Sequence, residues 1–103
     1  MPGSGVTLEP VAIETVVKER LGATLVVGSG YLLFADVDPR GTVAELGARE
    51  SDALVELDGK QVSSVQDVFE SLRRFKRGDT ANVLIYRFSR GRPVRKIQGD
   101  LKL

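Results

Sequence analysis

Fourteen Asp and Glu and fifteen Lys and Arg supply the charged side chains of this 103-residue sequence, which has no His and no Cys. That inventory decides much of the available chemistry. Without His there is no Ser-His-Asp triad, and without Cys there is no thiol nucleophile, disulfide or Cys-based zinc site. A Ser–Lys pair is formally open through Ser63, Ser64 and Lys60, but Ser64 stands where a helix cap belongs and Lys60 sits beside a hairpin tip. We therefore assign no catalytic residue. The carboxylates Asp36, Asp38, Glu50, Asp52, Glu56 and Asp58 lack the alternate acidic spacing with a central glycine that a calcium loop requires, so no metal and no cofactor is assigned.

Charge is unevenly spread. Residues 1–72 carry 5 Lys and Arg against 12 Asp and Glu, a balance of −7, whereas residues 73–103 carry 10 against 2, a balance of +8. Arg73, Arg74, Lys76 and Arg77, with Arg87, Arg90, Arg92, Arg95 and Lys96, could face an anionic polymer. Strands from the two halves of a small domain usually interleave, however, and the expectation is that the halves neutralise each other. Tyr86 and Phe88 flank Arg87 with the period of a strand rather than of a stacking platform. Neither a nucleic acid nor a membrane is expected as a partner.

The positioning elements follow from periodicity. Length, 42% hydrophobic and 28% charged residues describe one globular domain, and no apolar run approaches the roughly 18 residues that span a bilayer. Met1-Pro2-Gly3-Ser4 reads as a cloning remnant, leaving 5–103 as the domain. Gly5 to Glu9 is extended up to Pro10, and Ile13, Val16, Val17, Arg20 and Leu21 recur at helical spacing, closed by Gly22. Ala23–Val27 and Tyr31–Val37 are β-prone around Gly28-Ser29-Gly30, as two strands or one broken strand. Asp38-Pro39-Arg40-Gly41 predicts a turn in which the glycine takes positive φ, followed by a short helix from Thr42 to Leu46 ended by Gly47.

Asp58-Gly59 between Leu54–Leu57 and Lys60–Val62 is a type I′ hairpin signal. Ser64 and Asp67 form a variant capping box before the stripe Val65, Val68, Phe69, Leu72 and Phe75, and Arg77-Gly78-Asp79 ends that helix. Thr80–Phe88 has apolar residues on both parities, as a strand covered on both faces would. Ser89-Arg90-Gly91-Arg92 turns the chain into a last strand with Ile97, Leu101 and Leu103 on one parity. Five or six short strands with two main helices and one helical turn, not alternating as βαβα, imply an α+β fold with a mostly antiparallel sheet.

From Tyr31 onward the order becomes specific: an apolar strand, Val37-Asp38-Pro39, a short helix, Ser51-Asp52, an apolar strand, Asp58-Gly59, Ser64 with Asp67, an amphipathic helix, Gly78-Asp79 and a closing hairpin. This resembles the PDZ domains of bacterial HtrA-type serine proteases and related envelope proteins. Gly5 to Pro10 and the Ile13–Leu21 helix extend the resemblance nearly end to end. Three departures stand out: Ser51 replaces the usual glycine before Asp52, Thr42-Val43-Ala44 replaces a small-Pro-Ala start, and Ala23–Gly30 is longer than usual. Asp52 retains the acceptor that ties the loop amides, so the turn is expected to survive.

The resemblance implies a five- or six-stranded PDZ-like, partly open barrel or sandwich and a groove that captures an extended or C-terminal peptide by strand addition. Carried onto this chain, the carboxylate-binding loop falls on Gly3, Ser4, Gly5 and Val6, the edge strand on Val6, Thr7 and Leu8, and the helix wall on Val65, Phe69 and Leu72. Val65 stands where many animal members carry a hydroxyl-selecting histidine, which implies an apolar ligand residue there. Gly30-Tyr31-Leu32-Leu33-Phe34, superficially like the family's loop, is assigned to the core by its place before Asp38-Pro39. The implied partner is a peptide or protein C-terminus with apolar residues. A scaffold role, packing on the parent's own protease domain, is the alternative, and the implied location is the periplasm or cell envelope.

Overall fold

The computed structural model describes residues 10–76 and 78–103. Along them run α1 (Pro10–Leu21), β1 (Ala23–Gly28), β2 (Tyr31–Val37), α2 (Thr42–Glu45), β3 (Ala53–Leu57), β4 (Lys60–Gln61), α3 (Val65–Leu72), β5 (Thr80–Ser89) and β6 (Arg92–Lys102). The strands form one antiparallel sheet in the order β1-β2-β3-β5-β6, with β4 paired to β3, and the sheet does not close on itself. This is the α+β architecture implied by the sequence, laid out as a PDZ-like fold. The extended segment expected at Gly5–Glu9 lies outside the described residues.

Three hairpins are made by one device. Ser29-Gly30, Asp58-Gly59 and Arg90-Gly91 each occupy a two-residue turn with positive φ at both positions, between 53° and 80°. That is the geometry whose twist matches paired strands, and it resolves Ala23–Val37 into two strands rather than one broken strand. The tight turn at Arg90-Gly91 also pairs nearly the whole of β5, so β6 starts at Arg92, five residues before the apolar parity of Ile97 becomes visible.

The helix boundaries shift for local reasons. Helix α1 starts at Pro10 because a proline in the first turn gives up only an N–H that has no acceptor within the helix. It ends as expected at Gly22, φ 76°, whose amide donates to the Lys18 carbonyl at 2.8 Å. Helix α3 stops at Leu72, earlier than its apolar stripe. Arg74 and Phe75 then donate to the Ser71 and Leu72 carbonyls in tighter three-residue turns, which return Phe75 to the core outside the helix.

One core joins the elements. Val17 and Leu21 from α1, Leu25, Leu32 and Phe34 from β1 and β2, Val68 and Leu72 from α3, and Val83 and Ile85 from β5 are all buried within it. Along β5 the core parity is Ala81, Val83 and Ile85; the opposite parity, Leu84, Tyr86 and Phe88, is only half-buried. The second face of this strand is therefore partly covered, less than the sequence implies.

Gly41 is the clearest correction to the sequence reading. Its φ is −79°, so positive φ is not why glycine is there. The reason is space. The α1–β1 turn crosses the β2–α2 turn at backbone contact: a Cβ on Gly41 would lie 2.7 Å from the Gly22 Cα, and one on Gly22 would lie 2.5 Å from the Gly41 Cα. Asp38 donates its amide to the Gly22 carbonyl at 2.8 Å, and the Thr42 hydroxyl donates to the Leu21 carbonyl at 3.2 Å, so the crossing is also hydrogen-bonded. Gly41→Ala should cost about 2 kcal/mol or more, because backbone lies on both sides and neither can yield; urea unfolding of the variant checks this.

Candidate functional site

Strand addition requires an unpaired edge. β1 and β6 end the sheet, and among the described residues neither has a strand on its outer side. Ala23 and Leu25 of β1 are buried, whereas Val26 and Val27 are 46% and 62% exposed, which leaves an apolar stretch on an open ladder. β2 is paired on both sides, to β1 and to β3.

The helix wall is divided. Phe69 and Leu72 are core residues, Leu72 at 1% exposure, packed in one cluster with Val17, Leu21 and Val68. Val65, at the start of α3, packs only its edge against that cluster and keeps exposed surface. α1 lies along α3 and also touches β1. Of the residues assigned to a groove from sequence, the structure therefore brings Val65, Phe69 and Leu72 onto one short helix. Ser4, Gly5, Val6, Thr7 and Leu8 lie outside the described residues. The glycine-led segment at Gly30 is, as assigned, a turn and a core strand, with Leu32 and Phe34 buried.

The start of α3 is firmly set. The Ser64 hydroxyl accepts from the Asp67 amide at 3.1 Å, and the Asp67 carboxylate accepts from the Ser63 amide at 2.9 Å and the Ser63 hydroxyl at 3.1 Å. The capping box is thus present, with its acidic arm reaching one residue further back than the cap. The Ser63 amide is the largest of the hydrogen bonds that hold the Asp67 carboxyl below its ordinary range. Both serines are engaged in this cap.

A second anchor was only half legible in sequence. Asp52, 3% exposed, accepts from the Arg49 amide at 2.9 Å, as expected of a loop tie. It also accepts a two-pronged bond from Arg87 on β5, Nε to Oδ1 at 3.1 Å and Nη2 to Oδ2 at 2.9 Å, while the same Nη2 donates to the Gly47 carbonyl at 2.7 Å. The Asp52 hydrogen bond raises the Arg87 pKa further, so this guanidinium stays charged. In sequence Arg87 belongs to a basic cluster; a partner 35 positions away leaves no local signal. Ser51, where the family pattern has glycine, adopts φ 75° and keeps the loop in the shape glycine would give it.

A cleft of about 620 Å³ lies between the end of α1 and the first turns of the sheet and is lined by Lys18, Arg20, Thr24, Asp36, Asp38 and Arg40 among others. Its charges are mixed. Among the described residues no group of three or more Asp or Glu is placed to hold a metal ion, and no helix is long and apolar enough to cross a membrane.

No protein-family model matches the sequence, and no curated protein matches it. Solved structures do share the fold. An aminopeptidase N family protein from Idiomarina loihiensis superposes with a TM-score of 0.64 at 22% identity, over 81% of this chain and 14% of that one. The HtrA-type protease AlgW, solved with a decapeptide, superposes with a TM-score of 0.63 at 14% identity, over 88% of this chain and 33% of that one. The chain thus spans a small part of each neighbour, and at these identities the likeness is one of fold.

Two expected outcomes concern the Asp52 anchor. Asp52→Ala should cost about 3 kcal/mol in chemical denaturation, because it strands the Arg87 guanidinium and frees the Arg49 amide. Ser51→Gly should raise stability by roughly 0.5–1 kcal/mol in the same assay, since it relieves a side chain held in the left-handed region.

Proposed function

We propose that this domain binds peptides, accepting an extended apolar segment as an added antiparallel strand. The observation that carries this reading is the open outer edge of β1 with Val26 and Val27 exposed along it. Unpaired amides and carbonyls supply sequence-independent affinity, and the exposed valines reward an apolar ligand. The fold likeness to a protease solved with a decapeptide supports the same reading.

The segment assigned by resemblance, Ser4, Gly5, Val6, Thr7 and Leu8 facing Val65, Phe69 and Leu72, belongs to the proposal as a second edge. Half-buried Val65 at the open end of α3 favours an apolar ligand residue beside it, and Phe69 and Leu72 support it from the core. Affinity should be modest, because a short peptide loses its own freedom on binding. We further propose that the domain serves a regulatory or substrate-recruiting role in a longer envelope protease, in which the isolated domain is not itself the catalyst. Both structural neighbours are peptidases by name, and both are much longer than this chain.

A titration of amide chemical shifts with peptides ending in apolar residues tests this. Saturable shifts at residues 23–28 place the added strand on β1, and shifts at 4–8 with 65–72 place it on the edge assigned from sequence. If no peptide of a diverse set produces saturable shifts at either edge, the peptide-binding reading fails and packing on the parent chain takes its place.

A further inference from the structure

The β5–β6 hairpin carries no carboxylate from Thr80 to Gly99 but five cations: Arg87, Arg90, Arg92, Arg95 and Lys96. The expected neutralisation between the two halves of the chain reaches only one of them. Among the described residues the ion pairs are Arg87 with Asp52 and Arg73 with Glu70. Arg90, Arg92, Arg95 and Lys96 enter none.

The ladder makes this surplus specific. Arg87 on β5 and Arg95 on β6 are directly opposed partners, so the two side chains rise from the same face of the sheet. Like charges set opposite each other on neighbouring strands are destabilising. Arg87 is compensated by Asp52, whose two oxygens are used by Arg87 and the Arg49 amide. Nothing equivalent faces Arg95.

Beside this pair lies a cleft of about 360 Å³ between the segment after α2 and strand β6. Arg49, Arg87, Arg95, Lys96 and Gln98 contribute to its lining, and no Asp or Glu does. Its frame is stiff. Asp52 clamps the Arg49 amide and Arg87 together, Arg87 also holds the Gly47 carbonyl, and the β5–β6 ladder sets Arg95 across from them. Three arginines, Arg49, Arg87 and Arg95, against one carboxylate already in use describe a receptor for an anion rather than a neutral surface.

We propose that this cleft binds a phosphate group, as a phosphate monoester or a phospholipid headgroup. A dianion matches the two guanidinium groups left without a carboxylate, Arg49 and Arg95; Lys96 and Gln98 alternate onto the other face of β6, where Lys96 lies 5.7 Å over the Tyr86 ring and the Gln98 side-chain amide donates to Asn82 at 3.4 Å. Guanidinium groups favour phosphate because their planar forks meet its oxygens in pairs. The site lies on β6, so it is separate from the β1 edge and stands independently of the peptide reading.

Inorganic phosphate, compared with chloride at matched ionic strength, is the first probe. Amide shifts should saturate at Gly47, Arg49 and residues 95–98, and thermal stability should rise with phosphate. Arg95→Ser should weaken that binding roughly tenfold, the effect of one lost charged hydrogen bond. In phosphate-free buffer the same variant should be at least as stable as the parent, since it removes the repulsion opposite Arg87; a merely structural arginine would lose stability. Arg49→Ser gives a second, independent weakening. Vesicles of phosphatidic acid in phosphatidylcholine then separate the sources: sedimentation with them, lost in Arg95→Ser, assigns a lipid headgroup, and phosphate binding without sedimentation assigns a soluble phosphorylated ligand. Equal responses to phosphate and chloride, or equal phosphate binding by parent and Arg95→Ser, overturn the proposal.

Discussion

Asp52 must satisfy three demands at once, and much of the molecule is arranged around that. It is a carboxylate at 3% exposure, so its oxygens have to be filled by donors held in place. Arg87 fills them from near the turn end of the longest hairpin, and the Arg49 amide fills them from the loop that precedes β3. The consequence is a fixed joint between the α2–β3 loop and β5. Ser51 accepts a strained left-handed conformation next to it, which shows how strongly the joint dictates the local backbone.

At the opposite side of the sheet a different constraint operates. Gly22 and Gly41 let two turns cross at backbone contact, and this sets the direction in which the chain passes from α1 into β1. Helix α1 then runs along α3 and closes the core with Val17 and Leu21. The two joints leave the sheet with differing edges: β1 short and apolar, β6 long and cationic. Apolar exposure on an unpaired ladder suits a peptide, and uncompensated cations on a rigid hairpin suit an anion.

The local signals in the sequence were read almost entirely by short-range rules. Asp58-Gly59, Ser64 with Asp67, and Gly22 after Leu21 act within four residues, where turn and cap geometry depend on the side chains present. The core face of β5, Ala81, Val83 and Ile85, was not legible, because Leu84, Tyr86 and Phe88 make the other parity equally apolar in sequence, but the order of the local signals was enough to suggest the family fold. The end of α3 and the start of β6 were less legible, because both are decided by hydrogen bonds that form only once neighbouring turns are in place.

What the sequence determined by itself was therefore the set of elements, their order and the absence of histidine and cysteine chemistry. Only the tertiary structure decided that Arg87 serves Asp52, that Arg95 is left opposite it without a carboxylate, and that glycine at position 41 is there for space. Each of those facts depends on which residues meet across distances of 19 to 35 positions or across a strand ladder. Periodicity reports which face a residue occupies, but the identity of the partner on that face is fixed by register and crossing geometry, which exist only in the folded chain.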